Sequence, residues 1–162
     1  DFDRIISIEM FEHTKNTKKL MNLINDWLKP EGLFFMHVFA HKENPYYFDT
    51  DQKNAWMAKY FFTGGMMPSH NLFKDLNSNL EHEKSWRMPG THYEKTSNSW
   101  LERMDSNKAE IISLFNKTNS NSIAKRKFHF WRLFYIACAE IFGYDNGNEW
   151  VISHHLFKKS EK

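Results

Sequence analysis

The sequence predicts an α/β fold from three observations. Phe2–Ile8 carries Ile5, Ile6 and Ile8 in a short β-branched run that reads as a buried strand. Leu20, Leu23, Ile24, Trp27 and Leu28 then recur at helical spacing, laying one apolar stripe against a sheet while Lys18, Lys19, Asn22 and Asp26 face water. Residues 33–39 form a second apolar run broken only by His37. Strand, helix and strand in that order make a right-handed βαβ unit with a parallel pair.

The remaining elements follow in order. Asn16 or Thr17 caps the first helix, and Lys29, Pro30, Glu31 and Gly32 end it. Residues 41–51 are polar with Pro45 and two tyrosines, and residues 54–62 form a short helix stopped by Gly64, Gly65 and Pro68. Together they read as a lid or pocket wall. Residues 71–76 give another short helix, and residues 81–88 a strand cut off by Pro89 and Gly90. A helix over 100–117 turns Leu101, Met104, Ile111, Leu114 and Phe115 inward. Residues 118–122 are a flexible joint too short to bound a domain. A second long helix over 123–142 carries Phe130, Trp131, Phe134, Ala137, Cys138 and Ile141 on its core face and stops at Gly143. A strand over 150–157 closes the chain, and residues 158–162 are a solvated tail.

The totals narrow the function classes. A chain of 162 residues that is 41% hydrophobic and 17% aromatic can build one globular core. Its 22 basic and 20 acidic residues are interspersed, so neither a nucleic acid nor an anionic membrane finds an electrostatic footprint. No run approaches the ~20 apolar residues a membrane-spanning helix needs. The one cysteine, Cys138, lies among Ile136, Ala137, Ala139 and Ile141 and reads as a small buried hydrophobe in a reducing intracellular compartment. The chain begins with Asp1, which points to an internal fragment, a processed product or part of a longer chain, and leaves localisation open.

Chemistry concentrates where the first strand ends. Glu9, Glu12 and His13 flank an apolar Met10-Phe11 pair, and open α/β sheets bind ligands beyond the carboxyl ends of their strands. These three are either proton-handling groups or solvated cap and surface residues. His37 is equally a satisfied core histidine, and Tyr93 a half-buried ring at a helix start. Tyr46, Tyr47, Tyr60, Phe61, Phe62, Trp86, Trp100 and Trp131 can wall a pocket for an organic cation or simply fill a core. Metal binding finds little support. His37 and His41 diverge along a strand exit, His154 and His155 point to opposite faces, and Glu81-His82-Glu83 reads as solvated.

Five segments carry a resemblance: IISIEMFEH (5–13), LKPEGLFFMH (28–37), YFFTGGMMPS (60–69), HYEKTSNSWLERMD (92–105) and AEIFGYDNGNEW (139–150). In this order they resemble the family that joins coclaurine N-methyltransferase-like enzymes and cyclopropane-fatty-acyl-phospholipid synthases. The resemblance covers the whole chain but only the C-terminal part of such an enzyme. It implies the C-terminal half of a Rossmann-like S-adenosylmethionine methyltransferase sheet with helical substrate-pocket insertions, in which the last strand runs antiparallel. On this reading residues 1–162 are one partial methyltransferase domain, the acceptor-side half. The Gly-rich strand-loop-helix of a cofactor site, and the acidic residue expected about 20 positions after it, are not in this sequence. The first strand then needs the N-terminal half of the protein, or a partner chain, to cover it.

The resemblance assigns roles as well. Glu9, Glu12 and His13 match a catalytic Glu-x-x-Glu-His of the amine N-methyltransferases, with His13 as base and Glu9 or Glu12 orienting a small amine. The lipid synthases usually carry Gly at position 9, so Glu9 favours amine methylation. Glu12, His37 and Tyr93 match the residues that hold bicarbonate in the lipid branch; apart from the resemblance, Tyr60 and Phe61 are the aromatics expected to touch the acceptor. The cofactor implied is S-adenosylmethionine, bound mostly outside these residues, so this chain is not expected to turn over alone. A structural subunit derived from such an enzyme, or a synthase acting on unsaturated acyl chains, are the alternatives.

Overall fold

The computed structural model describes residues 1–51, 53, 55–76 and 78–160. The expected helix start at Asn54 and the tail residues 161 and 162 lie outside them. The chain divides into two compact units, Asp1–Pro89 with Glu149–Lys162, and Gly90–Asn148.

In the first unit, strand β1 (Phe2–Ile8) leads through a 3-10 turn (Phe11–His13) into helix α1 (Thr17–Trp27) and strand β2 (Leu28–His41). The Asn16 side chain caps α1 by accepting the Lys19 N–H at 3.2 Å, satisfying one of the orphan donors of its first turn. β1 and β2 pair in parallel, with Ile5 opposite Phe34 and Ile8 opposite His37. β2 starts earlier than the sequence suggests because Leu28 already pairs with Phe2. Residues 29–32 are then an irregularity within the strand, with Glu31 at φ 59°.

Short strands β3 (Tyr46–Tyr47) and β4 (Met66–Met67) pair with each other around helix α2 (Trp56–Tyr60). Helix α3 (Leu72–Asp75) precedes strand β5 (Leu80–Met88), and strand β6 (Trp150–Lys159) completes a sheet ordered β1-β2-β6-β5. β6 runs antiparallel to both neighbours, as expected for the last strand. Phe11, Met21, Ile24, Leu28, Phe34, Met36, Val38, Phe73, Leu80 and Phe157 form one buried cluster on a face of this sheet.

Two burial expectations are corrected. β1 is not a strand buried on both faces: Ile5 is half-buried and Ser7 buried, but Ile6 is 67% and Ile8 62% exposed. The alternation of a strand puts the even-numbered residues on the face that no described element covers. On α1, Thr17, Met21, Ile24 and Asn25 are buried while Leu23 and Trp27 of the predicted stripe are exposed.

The second unit is helical. α4 (Thr91–Ser106) begins nine residues before the predicted start, directly after Pro89-Gly90, and a break at Asn107 separates it from α5 (Lys108–Asn116). Of the predicted inward face only Met104 is buried. Of the expected joint over 118–122, residues 118–120 are the turn and 121–122 already belong to α6 (Asn121–Gly143), whose buried positions are Ala124, Phe128, Cys138, Ala139 and Phe142. Trp131, expected inside, is exposed. Arg132 holds Asp105 through Nε–Oδ1 and Nη2–Oδ2 contacts of 2.5 and 2.8 Å, joining α6 to α4. Gly143 keeps helical φ and ψ, and the left-handed residues that turn the chain are Asp145, Asn146 and Gly147.

Candidate active site

The turn after β1 gathers Glu9, Glu12 and His13 as the sequence suggests, and the fold explains their placement. Glu9 leaves the strand at φ 49°, a left-handed conformation that costs a non-glycine residue on the order of 1 kcal/mol. Its N–H donates to the His37 carbonyl at 3.1 Å, and its Oε1 lies 3.0 Å from His37 Nε2. Backbone and side chain of Glu9 are thus both tied to the same β2 residue. His37 in turn meets the neighbouring strand, its Nδ1 standing 2.9 Å from Nε2 of its cross-strand partner His154 on β6.

Glu12 is 1% exposed, with its Oε2 buried and lacking a hydrogen-bond partner among the described residues. Burial, reinforced by the nearby Glu9 charge, pushes its pKa up to about 8. A carboxyl raised this far keeps its proton at neutral pH and gives it up only in mildly alkaline solution. His13 Nε2 stands 3.6 Å from Glu12 Oε1, and its half-exposed ring stacks on Phe62 at 5.9 Å and 13°. Gly65 packs so tightly here that a Cβ on it would meet the Glu12 carbonyl oxygen at 2.7 Å.

The other predicted residues divide. Tyr60 ends α2 and is exposed, whereas the Phe61 ring meets Trp56 edge-on at 6.0 Å. It is Phe62 that stacks on the candidate base. Tyr93 lies in the helical unit, against Phe142 at 4.7 Å. His41 is engaged elsewhere: Nε2 contacts Glu149 at 2.9 Å and Nδ1 accepts the N–H groups of Glu43 and Asn44. His82 does not sit on a purely solvated segment, because its ring packs 5.7 Å from His155 and 5.3 Å from Phe157. Sequence reasoning listed Phe62 only among possible pocket walls and weighed His154 only as a metal ligand, so it missed the stacking on His13 and the contact with His37. The pairing of His37 with His154 depends on the register of two strands 117 residues apart, for which the sequence holds no local signal.

Residues 1–150 match the mycolic acid cyclopropane synthetase family. The chain belongs to that family. Among curated relatives, (S)-coclaurine N-methyltransferase of Papaver somniferum is 34% identical over 161 residues, which are 98% of this chain and 46% of that protein. Cyclopropane-fatty-acyl-phospholipid synthase of Escherichia coli strain K12 is 33% identical over 104 residues, 63% of this chain and 26% of the synthase. A crystal structure of coclaurine N-methyltransferase bound to N-methylheliamine and SAH superposes with a TM-score of 0.90 at 34% identity, covering 97% of this chain and 48% of that one. The chain therefore has the fold of the C-terminal portion of a family member, and spans about half the length of the curated N-methyltransferases it matches.

Proposed function

We propose that this chain is the acceptor-binding and acid/base portion of an S-adenosylmethionine-dependent methyltransferase that N-methylates a small amine. The observation that carries this reading is the Glu12 carboxyl, buried beside the Glu9 charge with Oε2 unpartnered and a pKa near 8. A buried orphan acceptor is costly unless a ligand meets it, and an ammonium ion supplies the missing donor. Likeness to the coclaurine enzyme along almost the whole chain supports the amine as acceptor.

Glu9, whose Oε1 lies 3.0 Å from His37 Nε2, attracts the cationic amine. In its ionised form, which predominates above about pH 8, Glu12 takes the proton that the nitrogen must lose before or after its lone pair forms the new N–C bond, and His13, 3.6 Å away and half-exposed, passes that proton to solvent. This places the base on Glu12 rather than His13, because a pKa close to that of an amine matches the proton transfer best. The stacked His13 and Phe62 rings offer a face to the organic cation. Bound S-adenosylmethionine supplies the methyl group. The Glu9 charge and these rings suit its sulfonium, while no residue of this chain is assigned to its adenosyl part. For that reason residues 1–162 alone are not expected to turn over.

Lipid cyclopropanation with bicarbonate fits less well, since an anion at His37 would face the Glu9 carboxylate 3.0 Å from the ring. The deciding experiment is Glu12→Gln in the complete protein. We expect kcat to fall ~10²–10³-fold and the rise of rate with pH through about 8 to disappear, with calorimetric S-adenosylmethionine binding unchanged. Equal losses in turnover and donor binding would remove the base role. Bicarbonate dependence with an acyl product would move the protein to the lipid branch, and a stoichiometric partner without donor binding would make it a structural subunit.

A further inference from the structure

The chain that leaves β2 toward the stacked rings of the site is shaped by a side chain that the mechanism above does not use. His41, the last residue of β2, is buried, and its Nδ1 accepts the backbone N–H groups of Glu43 and Asn44 at 3.1 and 2.9 Å. Its Nε2 lies 2.9 Å from Glu149 Oε1. We propose that His41 is a positioning residue of the acceptor site: through Nδ1 it shapes the bend over 42–45 that seats Phe48 against Phe62, and so holds Phe62 in its stack on His13. The proposal rests on the reading that the His13–Phe62 face serves an amine acceptor.

Each ring nitrogen of His41 has one role. A backbone N–H can only donate, so Nδ1, which meets two of them, presents its lone pair. The ring proton therefore sits on Nε2 and is donated to Glu149, whose Oε2 also meets Lys42 Nζ at 2.7 Å. Lys42 above all, with His41 adding to it, holds the Glu149 carboxyl below its usual range, so the acceptor of that bond is ionised. A side-chain acceptor serving the N–H groups two and three residues ahead is the turn that Asn and Asp build with their own backbone. Here an imidazole builds it.

From that bend the contacts run to the site without a gap. Tyr46 and Tyr47 pair with Met67 and Met66, the Phe48 N–H donates to the Gly65 carbonyl at 3.1 Å, and the Phe48 ring packs on Phe62 at 5.1 Å. On its other sides Phe62 stacks on His13 and meets Phe39 edge-on at 5.9 Å. Phe39 is fixed in β2 by its pairing with Ile152 of β6, so the wall of the stack that can move is Phe48. The end of β2 itself does not depend on the His41 ring. The His41 N–H donates to the Pro68 carbonyl at 2.8 Å, the His41 carbonyl accepts the His70 N–H at 3.0 Å, and the Lys42 N–H donates to the Glu149 carbonyl at 2.9 Å. Replacing the ring is thus expected to free the bend without unmaking the strand.

The test uses the complete protein and two side chains that each copy half of the imidazole. In His41→Asn the amide oxygen falls where Nδ1 stands and accepts the same N–H groups, whereas in His41→Gln the longer amide reaches Glu149 and leaves the bend without its acceptor. The ring protons of His13 report the stack by NMR through the ring current of Phe62, with Phe62→Leu as the reference for its loss. They are expected to keep their wild-type shifts in His41→Asn and to move toward those of Phe62→Leu in His41→Gln, where the Asn44 amide should exchange with deuterium ~tenfold faster. The second arm is calorimetric binding of the benzyltrimethylammonium ion, which meets the rings and has no proton for Glu12. Its Kd should rise ~tenfold in His41→Gln and stay at the wild-type value in His41→Asn. Wild-type His13 shifts in a folded His41→Gln, or their loss in His41→Asn, overturn the proposal. So does an Nδ1–H tautomer of His41 in long-range 15N–1H spectra of the wild type, whether or not any variant folds. If the ring shifts behave as expected while the wild-type protein takes up no benzyltrimethylammonium, the failure lies with the amine reading and not with the His41 bend.

Discussion

His155 shows what one buried histidine does to the stability of this sheet. It is fully buried, its Nε2 lies 2.7 Å from Ser153 Oγ, and that hydroxyl lies 2.7 Å from His70 Nδ1. Burial, helped by the neighbouring His70, His82 and His154, pushes its pKa down to about 3. An unfolded histidine titrates near 6.5, so below that pH the unfolded chain takes up a proton that folded His155 refuses until about pH 3. Stability is therefore complete above about pH 6.5 and falls on acidification, by up to ~1.4 kcal/mol per pH unit for this group. His70 and His82, both also held below the usual range by burial first, act in the same sense. Urea midpoints at pH 7, 6 and 5 should decline in the wild type, and the decline should be shallower by one proton in His155→Leu. An unchanged slope in that variant would place the acid sensitivity on another group.

At the scale of elements, the loop between α2 and β4 and the 3-10 turn after β1 shape each other. An added Cβ on Gly65 would meet the Glu12 carbonyl at 2.7 Å and the Phe62 carbonyl at 3.3 Å, two backbone atoms that cannot swing aside. Gly64, at φ 80°, has open space around the same position. Gly65→Ala should therefore push the Glu12 turn and lower kcat ~tenfold or more, whereas Gly64→Ala should cost about 1 kcal/mol through backbone strain and leave kcat close to wild type. Thermal melts and steady-state rates on both variants check this, and equal losses of kcat would mean that the order of the loop, not the seat of Glu12, is what matters. The contrast was not legible in the sequence, where Gly64 and Gly65 both read as helix stops. What could be read was local: the β-branched run of β1, the Asn16 cap and the apolar second strand, each set by neighbours along the chain. What could not was non-local. The face that α1 buries is set by its packing against β2 and β5, and the α4 start at Thr91 uses the chain turn after Pro89 where propensity alone favours a later one. Glu9, Glu12 and His13 were visible as a group because one short turn holds them, while His154 reaches the site across a strand register.

At the scale of the whole molecule, the sheet ends in a strand that behaves as an interior one. Among the described residues β1 pairs only with β2, and Phe2, Ile6 and Ile8 present an apolar face at 57%, 67% and 62% exposure. Nearby, Met10 and Trp27 are exposed as well and share a shallow concavity with Ile5, Ile6 and Ile8. Exposed apolar strand edges are templates for pairing, and soluble proteins usually blunt them with charge or cover them. Burying a single isoleucine is worth about 1.5–3 kcal/mol, so Ile6 and Ile8 together hold a strong drive for association. We infer that in the complete protein this edge is covered, by the remainder of the polypeptide or by a partner chain. Two measurements follow from one double variant, Ile6→Lys with Ile8→Lys. In residues 1–162 expressed alone, the wild-type chain should associate with rising concentration in sedimentation velocity, and the variant should stay monomeric with its melting temperature within about 2 °C of wild type, because an exposed isoleucine has little folded-state contact to lose. In the complete protein the same pair should be destabilising by several kcal/mol, and the β1 amides should exchange with deuterium as slowly as those of β2. Fast exchange of β1 in the complete protein, with a harmless double variant, would mean that the face is open to solvent and that the apolar edge serves no internal contact.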